Sequence, residues 1–211
     1  MTHSHSDMPE RPLPEFNTMQ KIKRRFFALR NGMLAARQRA AGLHYGVNFG
    51  LNIPQIKDTA AEVRGWGLTP AELMALAEEL WNNATTRESR LLAPMLVPEG
   101  AISSELAARW LAEAQTTEVA DHLCHSLLRK LPDAFRMAAN LSGSQDATEI
   151  QLYSALRLLL NLMCIGKADA QSVADAAEPL RNRDSALLRP LLLQIDQELA
   201  FLAEEDEDAT I

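Results

Sequence analysis

Cysteine occurs only twice in the 211 residues, at Cys124 and Cys164, too few for a disulfide framework. The chain lacks a charged opening segment followed by an apolar core of the secretory kind, so a cytoplasmic protein is expected. Aromatic residues are 5% of the total and β-branched residues are sparse, which argues against a large sheet. The longest apolar run, near "ALRLLLNLMCIG", is interrupted by Arg157 and falls short of the roughly 20 residues that span a bilayer. A Gly-rich phosphate loop is also missing, because "GVNFG" and "GWG" lack the Lys/Ser or strand context that such loops need.

What is present is Leu and Ala at helical spacing, 47% hydrophobic residues and 23% charged ones, which predicts an all-α class. The net charge of −7 hides an asymmetry: residues 1–60 carry +5 and residues 61–211 carry −12. From Phe16 to Gly42 there are seven basic side chains, Lys21, Lys23, Arg24, Arg25, Arg30, Arg37 and Arg39, and no acidic one. Such a run in an acidic protein is the electrostatic footprint expected for an anionic partner. A solvated helix face is the competing reading.

Residues 1–15 combine Pro, Ser and His without periodicity and read as a disordered leader; His3 and His5 lie within it. Met19, Ile22, Phe26, Leu29 and Met33 recur at three- and four-residue steps, the pattern of a helix with one buried stripe. Start signals follow at Pro54, Thr69 (with Glu72 as a capping box), Thr86, Ser103, Thr116 or Thr117, and Asp146. The joint "YGVNFGLNIPQIK" is read as a turn in which Gly46 and Gly50 permit the required φ values and Asn52 with Pro54 starts the next helix. About nine helices in pairs result, with a period near the ~40 residues of HEAT-like repeats. Residues 16–204 read as one domain, with a long terminal helix from Asp184 that Pro190 kinks or shortens, and 205–211 as an acidic tail.

Two linked stretches, "HYGVNFGLNIPQIKDTA" and "LAEELWNNATTRESRLLAPMLV", carry a resemblance. Tyr45, Gly46, Val47, Pro54, Ile56, Leu80, Trp81, Arg87, Glu88 and Arg90 stand where the DNA alkylation repair family of HEAT-like repeat proteins has its motif residues. The resemblance implies a right-handed HEAT-like solenoid whose concave face holds duplex DNA. It also implies a DNA glycosylase removing cationic alkylated purines such as N3-methyladenine or N7-methylguanine. A monomer without cofactor is expected.

Carried over by position, Asp121 in "TTEVADHLCHSLL" matches the family's catalytic Asp, with Thr117 where the family has Trp. In "LYSALRLLL", Ser154 stands at a family Arg position and Arg157 lies one turn later. These departures favour the alternative, a catalytically silent scaffold holding DNA or protein. The nucleic-acid-binding candidates are the seven basic residues above with Arg87 and Arg90, and beside them Arg129 and Lys130. Trp66, Trp81 and Trp110 are assigned to packing between helices, and Glu88 to local charge pairs with Arg87 and Arg90. Asp121, His122, Cys124 and His125 are metal-ligand types, but one helix aims at most two of them at a common point. Cys124 and His125, being adjacent on a helix, diverge by about 100° and cannot form a nucleophile-base pair.

Overall fold

The computed structural model describes residues 16–208, with side chains to 204; the leader 1–15, including His3 and His5, and residues 209–211 lie outside the described residues. Eleven α-helices and one 3-10 turn follow in order: α1 (Thr18–Leu29), α2 (Gly32–Ala40), α3 (Ile53–Arg64), α4 (Pro70–Asn82), α5 (Arg87–Leu96) and α6 (Ser104–Ala112). Then come α7 (Thr117–Ser126), the 3-10 turn Leu128–Lys130, α8 (Ala134–Ser142), α9 (Glu149–Cys164), α10 (Ala170–Arg181) and α11 (Arg189–Asp208). The described residues form no named strand, only an isolated bridge between Val47 and Thr86. No described helix is long and apolar enough to cross a membrane.

The caps explain the starts. Asn17, Asn52, Thr69 and Thr148 each accept from the backbone N–H three residues on, and the Gln or Glu at that third position bonds back, closing a capping box. Ser103 and Thr116 accept the N–H of Leu106 and Val119. α9 therefore starts after Thr148, not Asp146. The single helix read through Met33 is broken at Arg30 and Asn31, and Asn31 caps the new helix α2. Only Ile22 and Phe26 of the stripe are buried, and Met33 is 71% exposed. The last helix begins at Arg189 rather than Asp184, which puts Pro190 in its first turn, where a missing N–H costs nothing. That helix runs on through residues 205–208.

α3, α5, α7, α9 and α11 form a row in which each packs on the next, while α4, α6, α8 and α10 lie against the same row. α1 packs on α3. Helices that touch mainly near neighbours in sequence make the elongated, layered array expected of helical repeats. The three start signals at Pro54, Thr69 and Thr86 correspond to three helices, α3, α4 and α5.

α5 is the keystone: all ten of its residues are buried. Glu88, fully buried, accepts the N–H of Phe49 (3.1 Å) and of Leu51 (3.2 Å). Arg87 donates to the Leu51 carbonyl at 2.8 Å and pairs with Glu88 at 3.1 Å. The Val47 N–H reaches the Thr85 carbonyl, and the Arg87 N–H reaches that of Val47. The Gly-rich joint is thus stapled to α5. Gly50 has φ +73°, and an added Cβ would stand 2.1 Å from the Asn31 carbonyl oxygen. Gly46 does not take a left-handed φ, contrary to expectation, whereas Gly42, three residues before the joint, does.

Candidate functional site

α7 is anchored at its start by Thr116, whose hydroxyl lies 2.8 Å from that of Tyr45. It lines a cleft of 390 Å³ with Glu118, Asp121, His122, His125 and Ser126, of which His122 is buried. α3 contributes Ile53 and Lys57 to the same cleft, and α9 contributes Arg157 and Asn161. Glu118 is held from below by Arg87, whose Nε donates to Oε2 at 2.7 Å.

Tyr153, Arg157 and Asn161 recur every four residues and so share one face of α9. Tyr153, nearly buried, donates its hydroxyl to Asp121 Oδ1 at 2.9 Å. Arg157 Nε stands 2.7 Å from the same oxygen, and Nη2 donates to the Tyr153 hydroxyl at 3.3 Å. The Nε–H is not aimed along the 2.7 Å line and finds no hydrogen-bond acceptor, so the contact is an ion pair set by distance. Asp121 keeps 43% of its side chain open to the cleft. A carboxylate is thereby presented with one oxygen oriented by a phenol and a guanidinium, and the other available to a ligand.

The cleft carries two cations, Lys57 and Arg157, and two carboxylates, Glu118 and Asp121. His122 is pushed down to about 4, chiefly by burial, so it is neutral near pH 7. Burial, followed by the nearby Arg129, Lys57 and Lys130, also lowers His125. Arg129 Nη2 lies 3.3 Å from the His125 ring. Among the described residues no group of three His, Cys, Asp or Glu side chains is placed to hold a metal ion. Cys124 is fully buried, and burial drives its thiol far up, which makes it a packed apolar residue.

Other candidate residues fall elsewhere. Lys21, Lys23, Arg24, Arg30, Arg37 and Arg39 are exposed, whereas Arg25 is partly buried and paired with Glu62 at 3.0 Å. None of the seven lines the Asp121 cleft; Lys23 and Arg24 instead border a separate groove with Phe27 and Phe49. Arg87 and Arg90 are corrected from surface contacts to interior residues, at 1% and 6% exposure. The guanidinium of Arg90 lies over Trp81 at 4.2 Å, and Trp81 stacks on Trp110 at 4.5 Å and 8°. Those two tryptophans are fully buried and do pack between helices, and Trp66 is partly buried beside Lys21. Ser154 is buried and spends its hydroxyl on the Ile150 carbonyl.

Thr117 and Ser154 stand at the family's Trp and Arg positions, yet α9 supplies Asp121 with an aromatic, Tyr153, and an Arg, Arg157. Lys57, Tyr153 and Asn161 escaped sequence reasoning. The four-residue recurrence of Tyr153, Arg157 and Asn161 on an otherwise apolar helix was the available signal.

A protein-family model described as DNA alkylation repair enzyme matches residues 22–149, more than half of the chain. The chain belongs to the DNA alkylation repair enzyme family. No curated protein and no solved structure gives a match. The matched span covers α1 to α8 and includes Asp121, while the α9 residues that orient Asp121 lie beyond it. Family membership supports a role in DNA alkylation repair and an interaction with DNA.

Proposed function

We propose that this chain is a single HEAT-like solenoid domain over residues 16–204, a cytoplasmic monomer that binds duplex DNA and excises cationic alkylated purines at Asp121. The observation that carries the reading is the open Asp121 carboxylate, oriented by Tyr153 and Arg157, with Lys57 in the same cleft and Arg129 beside the lining residue His125. The cations attract phosphates and the carboxylate faces what lies between them.

An alkylated purine such as N3-methyladenine or N7-methylguanine already carries positive charge, so its N-glycosidic bond is weak and its departure needs little acid catalysis. As that bond breaks, positive charge develops on the sugar. Asp121 stabilises it electrostatically and orients the water whose oxygen bonds to the anomeric carbon; the purine leaves neutral and the water proton passes to solvent. Arg157 holds Asp121 in place before DNA arrives and has a phosphate as its competing partner.

A second reading, a scaffold that binds DNA without chemistry, is favoured by Thr117 in place of an aromatic and by the Arg157 charge that offsets Asp121. Two measurements test the proposal. Duplex affinity falls steeply with salt, and Lys57→Gln with Arg129→Gln lowers the log–log slope by about one to two. Released alkylated base, lost in Asp121→Asn, separates enzyme from scaffold; binding with no release overturns the enzyme. Salt-independent or absent binding overturns both.

A further inference from the structure

A second, larger and more closed cavity of 810 Å³ lies beside the Asp121 cleft. Its apolar wall includes Pro94, Val97, Ile102, Leu131 and Pro132. Three cations, Arg64, Lys130 and Lys167, and one acid, Glu99, also line it. None of these four forms an ion pair within 4.0 Å among the described residues. In a chain of net charge −7, an apolar cavity with excess cations is a specific local departure.

Two of the cations are positioned rather than loose. Lys167 Nζ donates to the carbonyls of Arg129 (3.2 Å) and Lys130 (3.3 Å) at the end of the 3-10 turn. Arg64 donates through Nη2 to the Met95 carbonyl. Each of these two keeps further N–H donors beyond those bonds.

The cavity adjoins the Asp121 cleft. Ser126 lines both. Lys57 lines the cleft and Arg64 the cavity; seven residues apart on α3, they share a face about 10 Å apart along the axis. That separation equals about three steps along one strand of DNA at 3.4 Å each.

We infer that this cavity is a nucleotide subsite: its apolar wall takes a base or sugar face, and Arg64, Lys130 and Lys167 take the phosphate. Its volume lies within the roughly 300–1,000 Å³ of sites for small molecules, and a lone inorganic anion would leave the apolar wall unused. The ligand chemistry, a 5′-phosphorylated nucleoside, has two sources, a free nucleotide or a strand continuing from the Asp121 cleft. The second source rests on the DNA-binding proposal above.

The test is methyl NMR on the full chain, following Ile102 and Leu131 in the cavity and Ile53 in the cleft. Deoxyadenosine 5′-monophosphate, deoxyadenosine, inorganic phosphate and a short duplex are titrated separately. The subsite predicts that Ile102 and Leu131 shift with the monophosphate or the duplex more than with deoxyadenosine or phosphate alone. Lys130→Gln, a substitution of an exposed side chain, weakens that response about tenfold, the size of one charge-assisted hydrogen bond. Shifts with the duplex only identify the strand as the source; shifts with the monophosphate identify a free nucleotide. A duplex that moves Ile53 but leaves Ile102 and Leu131 unmoved in every titration overturns the subsite and spares the DNA reading. No movement at any of the three overturns both.

Discussion

Arg157 holds its Nε 2.7 Å from Asp121 Oδ1, joining α9 to α7 across 36 positions of sequence at the mouth of the cleft. Both side chains are partly open to water, so the pair contributes no more than about 1 kcal/mol to folding. Arg157→Ala is therefore expected to shift the urea unfolding free energy by less than about 1 kcal/mol. Its effect on excision is larger, at least tenfold, because Asp121 loses the group that orients it. Equal losses in both measurements would make the pair structural.

Glu88 behaves in the opposite way. Its buried carboxylate holds two backbone N–H groups of the joint and one guanidinium arm of Arg87. Glu88→Ala leaves two buried backbone N–H groups and one guanidinium N–H without acceptors, while Arg87 keeps Glu118 and the Leu51 carbonyl, which costs about 3 kcal/mol. Denaturant unfolding checks this. A loss under about 1 kcal/mol would mean that water replaces the carboxylate.

Gly50 and Gly67 share the same left-handed φ of +73°, but only Gly50 is crowded, by the Asn31 and Ala35 backbone. Gly67→Ala should cost about 1–2 kcal/mol, the backbone penalty alone. Gly50→Ala adds a clash with unyielding backbone and should cost more, with the loss seen first as hydrogen exchange in α2. Matching costs would show that α2 moves freely away from the joint.

His122 links stability to pH. Its folded value is depressed to about 4 from 6.5, so the folded state binds fewer protons than the unfolded chain between these values. The stabilisation is full above pH 6.5 and is lost as pH falls toward 4, about 3 kcal/mol in all. Glu72, Glu105, Asp133 and Asp169 are also lowered, and their contributions are lost in acid as well. His122→Gln separates the effects: the variant should lose less stability than the native chain from pH 6.5 to 4. Parallel curves would assign the acid loss to the carboxylates alone.

Helix starts were readable because local chemistry makes them: Thr69 with Glu72, Asn52 before Pro54, and Ser103 are caps whatever the chain does elsewhere. The break at Arg30 and Asn31 was not, since Leu29 and Met33 continue the helical period while Asn31 bonds back to the Phe49 carbonyl, 18 residues on. Arg87, Glu88 and Arg90 read as surface charge, because burial of an ion pair depends on partners in the joint before α3, after α6 and in α7 that local pattern does not reveal. Asp121 was found by motif, whereas its partners Tyr153 and Arg157 became visible only when α9 packed on α7.

The most direct measurement is single-turnover release of N7-methylguanine from duplex DNA by the native chain and by Asp121→Asn, with duplex affinity followed in parallel. The account predicts release by the native chain, a fall of at least 100-fold in the variant, roughly the size of a lost electrostatic contact to the transition state, and binding retained by both. Tight, salt-sensitive binding without release from either protein, or equal release from both, would contradict Asp121 as the catalytic residue.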